Sequence, residues 1–168
     1  MNRRDFVHSF TSALVFAAYP AHAQSSPPED KTSGAKAAGA SAGKPPSDKP
    51  FAEHYIALQL SDSDPKKERL VLSVASNLQK SYGQDKIAIE VVTFGPGIDL
   101  LRTTNENRQL VDSLVSQGVR FDVCGNTLDT IERETGKRPD INPHAIEVQV
   151  GVGQLLTLAE SGYTIVRP

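Results

Sequence analysis

Val119-Arg120-Phe121-Asp122-Val123-Cys124-Gly125-Asn126-Thr127-Leu128 decides how this chain is read. An apolar run from Val119 to Val123 has the look of a buried strand, and it passes directly into Gly125 and Asn126, a helix opening. Cys124, the single cysteine of 168 residues, stands at that junction. A thiol at a strand-to-helix turn is placed for chemistry, because the backbone N–H groups and positive dipole end of the helix favour thiolate over thiol. The amides of Gly125 and Asn126 are the expected stabilisers of a sulfur anion. Asp122 and Asp129 would oppose them, and strand alternation puts Asp122 on the same side as Cys124. The plainer role for a free cysteine is that of a small buried hydrophobe.

Working outward, the same strand-then-helix unit recurs. Ile56, Leu58 and Leu60 alternate as a first strand, and Asp64-Pro65 supplies a helix cap and first turn before a stripe of Val71, Val74, Leu78 and Tyr82. Ile87 to Phe94 reads as a second, buried strand closed by Gly95-Pro96-Gly97. A helix from about Asn105 turns Leu110, Val111, Leu114 and Val115 inward and stops at Gly118. After the quoted segment, Leu128 and Ile131 mark a short helix ending at Gly136. Ile146, Val148 and Val150 alternate with Glu147 and Gln149 as a fourth strand with one polar face. Val152, Leu155, Leu156 and Ala159 mark a last helix before a strand from Tyr163 to Val166.

Five strands alternating with four helices predict one α/β domain over residues 51–168. Its sheet is mostly parallel with helices on both faces, since parallel neighbours need crossover connections. Ligands of such sheets sit beyond the carboxyl ends of the strands. Those ends supply Ser61 and Asp62, the turn with Gly95 and Gly97, and Cys124 with Gly125 and Asn126. Cys124 is therefore the candidate catalytic residue and the other six are candidate substrate-binding residues.

Upstream of the domain, Arg3, Arg4 and Phe6 precede an apolar stretch from Phe10 to Ala18, and Ala21 and Ala23 frame a small-residue cleavage site. Residues 1–23 thus read as a cleavable export signal of twin-arginine type, too short to leave a membrane anchor after cleavage, and they place the mature chain in the periplasm. Residues 24–50, rich in Pro, Ala, Ser, Gly and Lys, read as a disordered linker. Eighteen Lys and Arg against 20 Asp and Glu give a formal charge of −2, without the basic block that nucleic-acid binding requires. A lone cysteine forms no internal disulfide.

Weaker motifs add little. Gly151-Val152-Gly153 sits at a strand-to-helix turn as half a dinucleotide fingerprint would, but Leu156 stands where the third glycine belongs. Cys124, His144 and Glu147 lack metal-ligand spacing. Arg102, beyond the Gly-Pro-Gly turn, reads as a solvated arginine. No cofactor and no metal are expected.

Phe121 to Leu128 (FDVCGNTL), followed by Val150 to Gly153 (VGVG) and Glu160 to Pro168 (ESGYTIVRP), resembles the DsrE/DsrF-like sulfur-relay family over nearly the whole domain. The resemblance implies a small α/β domain that forms homo-oligomers, commonly trimers or hexamers. It also implies a cysteine that accepts sulfur as a persulfide, at the position of Cys124. On that basis the chain is expected to be a periplasmic sulfur carrier or sulfurtransferase-like relay working with a sulfur donor or acceptor protein. The alternative is a non-catalytic homo-oligomeric module that binds a small ligand or serves a structural role.

Overall fold

The computed structural model describes residues 48–168. The export signal, with Arg3, Arg4, Phe6, Ala21 and Ala23, and the linker up to residue 47 lie outside the described residues. Five strands, β1 (His54–Leu60), β2 (Ile87–Thr93), β3 (Arg120–Cys124), β4 (Ile146–Val148) and β5 (Thr164–Val166), form one sheet in the order β4-β3-β2-β1-β5. Every pairing is parallel. Parallel neighbours require crossovers, and α1 (Pro65–Tyr82), α2 (Arg108–Ser116), α3 (Gly125–Thr135) and α4 (Gly151–Glu160) lie in the connections. The domain is thus the α/β fold with a parallel five-stranded sheet that the alternation predicts.

Helices cover the two faces unequally. One face carries the larger core, where Leu58, Ile89, Val91, Phe121 and Val123 of the sheet meet Val71 and Leu72 of α1, Val111 and Leu114 of α2 and Leu128 of α3. Among the described residues the other face has the α4 helix, whose Leu155 and Leu158 pack on Ala57, Ala88, Val92 and Tyr163. All seven residues of β2 are buried, the pattern of a central strand covered on both sides. Cys124 and Asp122 share the α4 face, because in register they lie opposite Val148 and Val92.

Local chemistry explains the element ends. Asp64 caps α1 by accepting the Lys66 N–H at 2.8 Å, and Pro65 occupies the first turn, where its missing N–H costs nothing. Gly136 closes α3 in the left-handed region at φ 76°.

Several features depart from the sequence expectations, among them Leu110 of α2, expected inward but exposed. Gly95–Leu101 is a 3-10 helix, and it buries Ile98, Leu100 and Leu101. The α2 helix starts at Arg108, preceded by a turn in which Asn105 and Asn107 donate to the buried Glu68 carboxylate at 3.0 and 3.2 Å; these bonds hold the segment before α2 against α1. The fourth strand stops at Val148, and α4 turns Leu155 and Leu158 inward while Val152 and Leu156 face outward at 58% and 61% exposure. With apolar residues around most of its circumference, α4 offers no sequence signal for which stripe is core.

Candidate functional site

Cys124 ends β3 and is the N-cap residue of α3, with extended backbone at φ −73° and ψ 115°. It lies where two helices begin. The amides of Asn126 and Thr127 come from the first turn of α3, and that of Gly151 comes from the first residue of α4. Burial, with 5% of the residue exposed, pushes the thiol up toward the neutral form. The Thr127 hydroxyl and the nearby Gly151, Thr127 and Asn126 amides, the last of which donates to the Gln149 carbonyl at 3.2 Å, outweigh that effect and leave the Cys124 pKa below its ordinary value. Both helix dipoles act in the same direction, with positive ends toward the sulfur.

Two glycines leave little room around the thiol. A Cβ on Gly151 would lie 3.1 Å from the Phe94 Cβ and 3.2 Å from the Cys124 Cβ, so a side chain there would press on Phe94 and on the end of β3. A Cβ on Gly125 would stand 2.9 Å from Oε1 of Glu147. Glu147 is in turn held at 2.6 Å by Arg138, which also pairs with Asp129 and Glu132. Asp129 is thus engaged at the surface, and the aspartate on the sulfur's side of the sheet is Asp122.

The other candidates divide into three groups. Gly95 and Asn126 line an open cavity of about 540 Å³ together with Pro96, Ile98, Thr127 and Ile131. Thr127 connects that cavity to the thiol, since its Oγ1 also accepts the Gly95 N–H at 3.0 Å. Gly97 is buried against β1, where an added Cβ would meet the Leu60 carbonyl oxygen at 2.3 Å and the Ser61 nitrogen at 2.9 Å; Gly97 and Ser61 therefore serve backbone packing. Asp62 is clamped by Lys67 at 3.0 Å and Arg167 at 2.9 Å, and the Lys67 contact, followed by that of Arg167, holds its carboxyl below the usual range. Arg102 lines the cavity and is bound by Asp99 at 2.6 Å.

Sequence reasoning missed two participants, Thr127 and Gly151. Thr127 lay within the quoted segment, at a position in the first helical turn that can reach back to its cap. Gly151 is 27 positions beyond Cys124, and only the packing of α4 on the sheet brings it to the sulfur. Among the described residues no three His, Cys, Asp or Glu side chains gather so as to hold a metal ion. None of the described helices is long and apolar enough to cross a membrane.

Fold and site together define a parallel α/β domain with a buried cysteine at the crossing of two helix N-termini. No protein-family model matches the chain, and no curated protein does. Among solved structures the chain is similar to a protein of unknown function, MTH1491, from Methanobacterium thermoautotrophicum. The two share 28% identity and superpose with a TM-score of 0.62 over 69% of this chain and all of the other.

Proposed function

We propose that the protein carries sulfur as a persulfide on Cys124. The observation behind this reading is the place of the sulfur at the start of two helices: Cys124 caps α3, the first residue of α4 packs against its Cβ, and the neighbouring amides with the Thr127 hydroxyl leave its pKa below the ordinary value. Such a cradle favours an anion and serves a thiolate and a terminal persulfide alike. The Cys124 thiolate attacks the outer sulfur of a sulfane donor, forming a Cys124 S–S bond as the donor's own S–S bond breaks. The departing group keeps that electron pair; thiosulfate, for example, leaves as sulfite. Passing the outer sulfur to an acceptor thiolate reverses the step, so no external oxidant or reductant is needed. The resemblance to the DsrE/DsrF-like family supports the same reading and adds a donor or acceptor protein, and the twin-arginine-like signal of residues 1–23 supports a periplasmic setting.

A homo-oligomer, trimeric or hexameric by the same resemblance, is part of the proposal. Its physical support is the apolar surface on the α4 side, where Val152 and Leu156 stand between Ile146 of edge strand β4 and Ile165 of edge strand β5, all exposed. An apolar stripe across a sheet with two open edges calls for a cover.

Intact mass spectrometry after incubation with thiosulfate or polysulfide tests the carrier reading. Wild type should gain the mass of one sulfur atom, reversibly by dithiothreitol, and Cys124→Ser should gain none. A wild type that gains no sulfur from either donor, and whose thiol alkylates no faster than a model thiol, removes the carrier reading in favour of a non-catalytic module.

A further inference from the structure

The α4 face of the sheet holds a second polar group that the sulfur chemistry leaves unused. Asp122 is fully buried, and its Oδ1 receives Nε of Arg120 at 2.9 Å. Its Oδ2 is buried with no hydrogen-bond partner among the described residues. Glu90, 5% exposed and one strand away on β2, shares the same guanidinium at 3.5 Å and accepts from Nε2 of Gln154 on α4 at 2.7 Å. Two buried carboxyls thus flank one cation, and the Glu90 carboxyl is close enough to raise that of Asp122. Two buried acceptors that share a single cation favour a proton held between them.

We propose that Glu90 and Asp122 hold one proton in common, and that this proton sets the charge felt by Cys124 two residues further along the same face of β3. With the proton in place the pair and Arg120 are neutral together and do not oppose an anion at sulfur. When the proton leaves, a net negative charge appears about 7 Å from the thiol, two strand residues away. Proton loss from the pair and proton loss from the thiol therefore oppose each other, and the two sites titrate as one coupled system.

The surroundings favour retention of the proton. Burial first, and then the Glu90 carboxyl beside it, push Asp122 up to about 8 against the pull of Arg120. The remaining groups near the pair are Asp48 and Lys49 of the segment entering the domain, Tyr55 of β1 and Tyr163 before β5. Toward the neighbouring edge the same face of β4 presents only Ile146 and Val148, and α4 contributes the uncharged Gln154. Arg120 is bonded to both carboxylates.

The linkage takes from the carrier reading only that Cys124 reacts as a thiolate, and its tests need no sulfur donor. Carboxyl-carbon NMR of the full-length protein, labelled in Asp and Glu, should show a carboxyl titrating above pH 7 in wild type and lost in Asp122→Asn. In parallel, the pH profile of Cys124 alkylation by iodoacetamide should be broader than a single ionisation in wild type. It should collapse to a single ionisation in Asp122→Asn, with the rate at pH 7 within about twofold of wild type, because Glu90 and Arg120 still cancel. Arg120→Gln should slow alkylation at pH 7 severalfold by leaving the pair's charge uncompensated. Glu90→Gln substitutes for Asp122→Asn if that variant does not fold. Carboxyls that all titrate below pH 6 in wild type overturn the shared proton; alkylation profiles that superimpose in wild type and Asp122→Asn overturn the coupling. A protein that passes both tests and yet gains no sulfur supports this linkage and removes only the carrier reading.

Discussion

One hydroxyl, that of Thr127, is hydrogen-bonded to the Cys124 sulfur and accepts the Gly95 N–H at 3.0 Å. Valine has nearly the same shape and keeps the packing while removing both bonds. A hydrogen bond to a charged group is worth about 1.5–3 kcal/mol. Thr127→Val is therefore expected to slow alkylation of Cys124 at pH 7 by about tenfold, and to leave an unpaired Gly95 amide that lowers the melting temperature. An alkylation rate equal to wild type would mean that the backbone amides alone hold the thiolate. Asp62 is the counterexample among strand-end residues: its carboxylate is occupied by Lys67 and Arg167, and it ties the C-terminal segment to the start of α1.

At the scale of elements, the sulfur depends on how α4 docks. Gly151 lets the start of α4 pack closely against Phe94 and the end of β3. Gly151→Ala puts a methyl within 3.2 Å of two other Cβ atoms, so the helix start or those neighbours must give by a few tenths of an ångström. Overpacking of this kind costs about 1–3 kcal/mol. The expected result is a destabilised protein whose thiol titrates at higher pH than in wild type. If stability falls while the thiol profile stays unchanged, the α4 amide contributes nothing to the anion site. The α3 helix is anchored differently, by its left-handed closure at Gly136 and by the Arg138 network at its surface, so its amides should hold their places in the Gly151 variant.

Across the whole molecule, the two faces of the sheet follow different rules. The α1, α2 and α3 side is an apolar core. The α4 side combines a small core with a buried charged group and an exposed apolar stripe. Replacing Leu156 by Asp puts a charge in the centre of that stripe. Light scattering should then report a smaller species than wild type at micromolar concentration, with the circular dichroism unchanged; a wild type that is already monomeric would contradict the oligomer. The buried acid also shapes stability against pH. Folding raises the Asp122 pKa from 3.8 to about 8, so the native state keeps a proton that the unfolded chain gives up near pH 4. That contribution is full below about pH 4 and is lost as the pH rises toward about 8. Urea unfolding should accordingly show wild type losing more stability than Asp122→Asn between pH 4 and pH 8, by more than about 1 kcal/mol. Parallel pH curves for the two proteins would place the Asp122 pKa near its ordinary value.

Alternation of apolar runs with helical stripes was enough to specify a parallel α/β domain, because a period of two or of 3.6 residues is a local property of the chain. The placement of Cys124 at a strand-to-helix junction was equally local, and so was the sharing of one strand face by Asp122 and Cys124. What lay beyond the sequence depended on contacts between distant segments. Val152, Leu155, Leu156 and Ala159 mark a helix without saying which of them is core, since a helix apolar on most sides does not announce its buried stripe, and only docking on β1, β2 and β3 selects Leu155 and Leu158. Gly151 read as half of a weak fingerprint until packing brought its amide to the sulfur. The pairing of Glu90 with Asp122 was hidden for the same reason: they are 32 residues apart in the chain, and they meet because β2 and β3 lie side by side in a register that sets Glu90 opposite Arg120. Hydrogen bonding along a parallel sheet fixes that register, and with it which charges must share one buried space.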